Sequence, residues 1–314
     1  MGGIQGLLRW FATSFALAGL AACGGGGGGG GGGGSSAMAV PPPPATATFT
    51  PSQNSLSFAN NAFTSASSDS DGGQITLTAD AMGRARFITL NIPLRGAASY
   101  NHTFDLSTAV LGTGSFAGFA LVRDGGTLPD GSMPNNLILD LDPNLSFSVY
   151  GLWLNVRSAD ASGHETGAVG GVAFGNLTPI GSLPTAGTAT YTGSTIGAAI
   201  TGTSSSFLTG TVSLSADFTH MTIGGSFNIN AVTGPTSTTP WGSFTLPSTG
   251  IVATGGSYTY GGINNLTGTI PGGALTGSSL NGHFYGTTGE ETAGTWSVSS
   301  STTQAVGAFG AKRQ

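Results

Sequence analysis

The side chains whose chemistry can be tested by spacing are few: one Cys, four His and thirteen Asp or Glu in 314 residues. His102, His164, His220 and His283 lie far apart, with no His-x-x-x-His pair and no Glu at metalloprotease spacing after His164. They read as surface or turn residues, and no metal is expected of them. A single Cys excludes an intramolecular disulfide and a Cys-based zinc site. Asp140, Asp142 and Asn144 imitate the start of a calcium loop, but Leu145 stands where that loop needs Gly and Gly151 where it needs a bidentate Glu. Asp142-Pro143-Asn144 is therefore read as a turn, and Asp69 and Asp71 before Gly72-Gly73 as a loop. Glu290 and Glu291 are adjacent, so on a strand they face opposite sides and do not form a glycosidase-like pair. No Gly-x-Ser-x-Gly elbow occurs. Asn-x-Ser/Thr matches at Asn101, Asn144, Asn176 and Asn265 are what a Ser- and Thr-rich chain yields by chance. No enzyme activity and no cofactor are expected.

Cys23 is the exception. Arg9 precedes a short apolar stretch from Trp10 to Ala18, too short to span a bilayer as an ordinary helix. Leu20-Ala21-Ala22-Cys23 follows and resembles the bacterial lipobox, which implies cleavage before Cys23 and acylation of its thiol and new amine with palmitate-like chains. The alternative is a secretory signal cut at an Ala-x-Ala-like site. Several acyl chains exceed what stable anchoring needs, so residues 1–22 read as a lipoprotein signal peptide and the mature chain as membrane-anchored. Gly24 is not the Asp that favours inner-membrane retention in enteric lipoproteins, so the outer membrane is expected. Gly24 to Gly34, Ser35-Ser36 and Pro41 to Pro44 make residues 23–51 a disordered tether. Its glycine run alone spans roughly 18 Å as a random coil.

The elements that must carry the remaining residues are strands. With 56 Gly and 15 Pro helices are scarce, and with only 21 charged residues a basic nucleic-acid surface is excluded. From residue 52 onward, period-2 alternation broken by Gly, Asp, Asn and Pro clusters predicts an all-β chain. Ile75, Leu77 and Ala79 pair with Arg86 to Ile92 as one hairpin. Leu137, Leu139 and Leu141 pair with Leu145, Phe147 and Val149 as a second, whose return strand continues through Tyr150, Leu152, Trp153 and Leu154. There both faces turn apolar, which places the strand between layers. A break at Pro179 to Pro184 separates a handle-like region, 52–180, from a small barrel, 185–314. In the barrel Val212, Leu214, Ala216 and Phe218 alternate with Thr and Ser. After a turn, Met221, Ile223, Phe227 and Ile229 take the opposite parity.

Near the C-terminus stand Leu280-Asn281-Gly282-His283-Phe284-Tyr285-Gly286, then Glu290-Glu291-Thr292-Ala293-Gly294-Thr295-Trp296, and finally Ala305 to Arg313. Together these resemble the C-terminal barrel of transferrin-binding protein B and related surface lipoproteins, over about 130 residues. Thr287, Gly289, Ala293 and Trp296 depart from the family pattern, and Leu183 to Gly193 resembles the entry into the same barrel. The resemblance implies an eight-stranded antiparallel barrel with a filled apolar interior, preceded by a looser handle. It also implies display on the cell surface, in several relatives by an outer-membrane translocator. In this reading Gly282, Phe284, Tyr285, Gly286, Glu291, Gly294, Phe309 and Gly310 are structural. Glu291 is expected to bond backbone amides at a turn.

Relatives with two lobes bind transferrin through long charged loops. Here there is one lobe, and loops such as Gly255 to Gly262 are short and uncharged, so transferrin binding is not carried over. The expectation is a binding module for an unidentified protein or small solute, with Trp241, Tyr258, Tyr260 and Trp153 as candidate anchors beside their packing reading. A structural or adhesive envelope lipoprotein without a soluble ligand fits the composition equally well. An integral porin-like barrel fits worse, given Cys23 and the terminal Gln314, and a hydrolase without local motifs fits only through the general independence of function from fold.

Overall fold

Alternation of apolar and polar residues, with Thr and Val abundant, drives nearly all of the described chain into strands. The computed structural model describes residues 46–67, 73–80, 84–94, 97–126, 128, 134–140, 144–160 and 164–314. The signal segment, Cys23, the glycine run, Asp69, Asp71 and Asp142 lie outside the described residues. The first strands are β1 (Thr46–Phe49), β2 (Ser52–Gln53), β3 (Ser55–Ala59), β4 (Ala62–Ser67), β5 (Gln74–Ala79), β6 (Ala85–Leu94) and β7 (Ala97–Asp105). They continue with β8 (Val110–Leu111), β9 (Phe119–Asp124), β10 (Asn135–Asp140), β11 (Ser148–Ala159) and β12 (Glu165–Gly175). Next come β13 (Thr188–Thr201), β14 (Ser204–Asp217), β15 (Thr222–Gly234), β16 (Ser237–Gly250), β17 (Val252–Thr254) and β18 (Ser257–Ile263). The last are β19 (Thr267–Ile270), β20 (Gly273–Ala274), β21 (Gly277–Tyr285), β22 (Glu291–Ser299) and β23 (Thr303–Arg313).

These strands form three layers. The outer layer is a sheet in the order β1-β5-β6-β7, and the middle layer runs β4-β3-β12-β11-β10-β9-β8, with β2 also on β12. The third is the barrel. Its strands β13 to β16 form an antiparallel meander, β23 pairs with β13 from Tyr191↔Arg313 to Thr201↔Thr303, and β18, β21, β22 and β23 follow in order. The ring closes because β16 runs on past Ile251 into β17, which pairs with β18 at Val252↔Thr259. Eight long strands therefore make the wall, as the family resemblance implied, and the β19-β20 hairpin leans on the middle of β16.

The middle sheet is apolar on both faces. Val149 and Trp153 of β11 meet Ile75, Leu77, Ile88, Leu90 and Phe104 of the outer sheet. On the opposite face Tyr150 and Leu152 pack with Ile196, Phe207, Tyr285 and Ala308 of the barrel wall. Leu154, Val156 and Val169 pack with Ala198, Ile200 and Val306. This is the buried strand that the run from Tyr150 to Leu154 predicts. The handle is not loose, however: its central sheet uses the barrel as half of its core.

Other expectations need correction. The tether expected over residues 23–51 ends before Thr46, since Thr46–Phe49 is a strand paired with β5, its Thr and Phe alternation matching Ile75 to Thr78 across the ladder. The first hairpin, β5 with β6, forms in the expected place. In the second, β10 pairs with residues 151–155 rather than 145–149, at Leu137↔Trp153 and Leu139↔Gly151. The return strand starts late because the backbone N–H groups of Ser146 to Ser148 are taken by a barrel carboxylate. Gly255 to Gly262 is not a loop either. Only Gly255 and Gly256 turn, at φ 57° and 87°, a left-handed pair suited to a two-residue hairpin, and β18 begins at Ser257.

Candidate functional site

Chemistry is concentrated where the handle meets the barrel, around the motif residues of β21, β22 and β23. Glu291, at the first position of β22, is 1% exposed. Its carboxylate accepts hydrogen bonds from the backbone N–H of Ser146, Phe147 and Ser148 at 2.5, 3.0 and 2.9 Å. Ser148 Oγ adds a fourth donor at 2.8 Å. Three successive amides aimed at one carboxylate form an anion nest, here filled by the protein itself. Glu290 precedes the strand and spends its carboxylate on its own turn, at Thr287 and Thr288. Desolvation pushes its carboxyl up, but bonds from Thr287 Oγ1, the Thr288 N–H and Thr288 Oγ1 outweigh that and hold it at about 2.

A second contact joins the handle edge to the barrel. Asn54 Nδ2 donates to the Trp296 carbonyl at 2.5 Å and Asn54 Oδ1 accepts from the Gly171 N–H at 2.8 Å. Ser52 Oγ donates to the Asn281 carbonyl at 2.9 Å, and Tyr150 Oη and Ser194 Oγ lie 2.5 Å apart. The backbones come close enough that a Cβ on Gly171 would stand 2.3 Å from the Gly307 carbonyl oxygen. A third contact grips the far hairpin, where the Ser115 N–H donates to the Pro235 carbonyl at 2.8 Å.

The other motif residues serve packing. Phe284 and Phe309 are fully buried in the barrel, where Phe284 meets Tyr191, Phe218 and Tyr260, and Phe309 meets Phe227 edge-on at 5.2 Å. Tyr285 points the other way, into the seam, beside an isolated bridge to Leu177. A Cβ on Gly282 would stand 2.2 Å from the Tyr260 ring, on Gly310 2.5 Å from the Tyr150 ring, and on Gly294 2.2 Å from the Asn281 carbonyl oxygen. Gly286 holds φ 95°, which an L side chain resists.

The candidate anchors separate. Tyr260 is buried, with its hydroxyl 2.5 Å from Thr292 Oγ1, and burial raises its pKa far above the ordinary range. Tyr258 is also buried and its hydroxyl accepts from the Gly181 N–H at 2.7 Å. Trp153 is buried between the two handle sheets against Tyr100. Burial leaves these three rings no free face, so they are packing residues. Trp241 alone is half-buried, resting partly on the barrel core.

Among the described residues, side chains pack the barrel interior. Trp296, Phe227, Phe244, Phe284, Phe309, Tyr191 and Tyr260 fill it. Trp296 Nε1 donates to Thr195 Oγ1 at 2.8 Å, and the Tyr191 hydroxyl, pushed up to about 12 by burial, donates to the Gly289 carbonyl at 2.6 Å. Along β14 the apolar residues face in and Thr211, Ser213 and Ser215 face out, the reverse of a transmembrane barrel's parity. Among the described residues no three or more His, Asp or Glu come together to hold a metal ion. His102, His164 and His220 instead pair singly with Asp124, Asp160 and Asp217.

Comparison with known proteins places the barrel. Residues 183–313 match the family model described as the C-lobe and N-lobe β-barrels of transferrin-binding protein B. No curated protein matches the chain. Among solved structures, a transferrin-binding protein B variant from Haemophilus parasuis Hp5 is 10% identical, covering 87% of this chain and 77% of that one, with a TM-score of 0.41. The protein from Neisseria meningitidis serogroup B is 13% identical over 86% and 77%, with a TM-score of 0.39. The N-lobe of lactoferrin-binding protein B from Moraxella bovis is 11% identical over 84% and 99%, with a TM-score of 0.37. Residues 183–313, with their filled interior and their closing glycine and glutamate motif, are a transferrin-binding protein B-like β-barrel.

Proposed function

We propose that this chain is an outer-membrane lipoprotein, anchored through Cys23 and displayed at the cell surface, that binds a protein ligand on the outside of the lobe. The observation that carries this reading is the filled interior of a barrel of this type: with Trp296 and its aromatic neighbours occupying the centre, a ligand has only the outer surfaces to dock on. The matched family model and the solved structures bear the names of transferrin- and lactoferrin-binding proteins, which supports a protein as the ligand class. The short turns of this barrel, which carry charge only at Asp217 and Glu290, argue against the same ligand. An outer-membrane translocator that handles lipoproteins belongs to the same proposal.

Protease shaving of intact cells carrying the native gene or Cys23→Ala tests it. The native protein should be lost to external protease, and the variant should leave the membrane fraction. Protection of the native protein until the outer membrane is opened would turn the reading toward the periplasm. Pull-down of a host protein by the tether-free lobe at moderate salt is the second arm.

A further inference from the structure

Strand alternation gives β9 two faces: Val122 packs toward the outer sheet and Leu121 toward the barrel wall, and Arg123 shares the face of Leu121. Its side chain is half-buried there. Nε and Nη2 are shielded from solvent and have no hydrogen-bond partner. Among the described residues no carboxylate pairs with it, since the neighbouring Asp124 faces the other way and lies 3.0 Å from His102. Burial pushes the guanidinium below its ordinary pKa, with no opposing charge to offset it. A cation held out of water is strongly unfavourable unless an anion answers it.

The two nitrogens form one edge of the guanidinium, the edge that takes a carboxylate side-on through two parallel N–H···O bonds. The chain uses the same edge elsewhere: Arg84 Nε and Nη2 donate to Asp80 Oδ2 at 3.0 and 2.9 Å. Beside the Arg123 edge the surroundings turn apolar. In register with Arg123 stand Asn136, Leu154 and Val169, on β10, β11 and β12. Leu154 and Val169 face Ala198, Ile200 and Phe207 of the barrel wall, and a narrow cleft runs between them, lined also by Ser205. Two strand spacings, about 10 Å, separate the backbones of Arg123 and Leu154, a distance that a guanidinium and a few methylenes cover together.

We propose that Arg123 and this cleft form a binding site for an unbranched alkyl carboxylate, a medium-chain fatty acid. The carboxylate accepts from both nitrogens of the Arg123 edge, and the tail lies along Leu154 and Val169 toward Ile200 and Phe207. The unanswered charge selects an anion over a neutral or cationic molecule. The narrow apolar lining selects a flexible chain over a sugar or a nucleotide, whose hydroxyls would lose their hydrogen bonds there. The site lies in the seam between handle and barrel, outside the filled barrel interior, and does not depend on the protein ligand proposed above.

Isothermal titration calorimetry of the mature chain, carrying Cys23→Ala to keep it free of lipid, tests this with octanoate, hexanoate, octanol and inorganic phosphate. One octanoate should bind per chain, and hexanoate should bind about fifteenfold more weakly, at about fourfold for each methylene lost. Octanol lacks the charge and phosphate lacks the tail, so each should bind at least tenfold more weakly than octanoate. Arg123→Gln should weaken octanoate at least tenfold, and Arg123→Lys, which keeps the charge without the fork, should recover only part of that loss. Arg123→Met should abolish binding yet melt, without ligand, no lower than the native chain, because it removes a buried charge that nothing in the fold answers. Failure of octanoate to bind, octanol or phosphate binding as tightly, affinity unchanged in Arg123→Gln, or Arg123→Met melting well below the native chain would each overturn the proposal, the last by making the guanidinium a structural group.

Discussion

Glu291 gathers four donors that lie more than 140 residues away in sequence, so its removal takes the acceptor from three backbone amides at once, of which that of Ser148 is buried. Leaving a buried donor unsatisfied costs about 1–3 kcal/mol, while water can replace the acceptor at exposed Ser146, so Glu291→Ala should lower stability by about 1–3 kcal/mol, readable as a shift of the urea midpoint. Glu290 responds differently. Its carboxyl is held at about 2 in the fold against an ordinary 4.5, so it stabilises the fold above pH 4.5 and loses that contribution as pH falls toward 2. Denaturation of Glu290→Gln beside the native chain should therefore show a gap at neutral pH that closes between pH 4.5 and pH 2. The motif suggested that Glu291 meets a turn; which turn could not be read, because Ser146 to Ser148 carry no signal of their own beyond standard turn residues.

At the scale of elements, the barrel's glycines hold space for rings. A methyl at Gly282 meets Tyr260 and one at Gly310 meets Tyr150, so Gly282→Ala and Gly310→Ala should each cost about 1–3 kcal/mol through overpacking. Ser213→Ala on the outer wall should change stability by less than about 0.5 kcal/mol. Thermal melts of the three variants check both statements. Strand alternation was readable where one face is apolar, as in Val212 to Phe218 and Ile75 to Ile92, because period 2 records burial on a single side. It misled at Leu145 to Phe147, where Leu145 is buried as loop rather than strand. It left Tyr258 and Tyr260 open between anchor and packing, since an aromatic near a Gly-rich turn looks the same in sequence whether its ring faces the core or solvent; both rings are buried.

For the whole molecule, the middle sheet makes handle and barrel one body. Ile196, Phe207, Tyr285, Ala198, Ile200, Val306 and Ala308 would face water in a barrel taken alone. A fragment of residues 183–314 should therefore bind a hydrophobic dye and aggregate, while residues 46–314 should unfold in a single calorimetric transition; two resolved transitions would show independent units. The sequence break at Pro179 to Pro184 marks a change of topology, and the continuous apolar run of β11 was the one sign that the two parts share a core. The pairing of β13 with β23 bears on timing. The strand that opens the ring finds its second neighbour only after more than a hundred further residues have been made, so the ring has high contact order and no closed form during synthesis. Until β23 arrives the ring cannot close, and β13 keeps one edge unpaired.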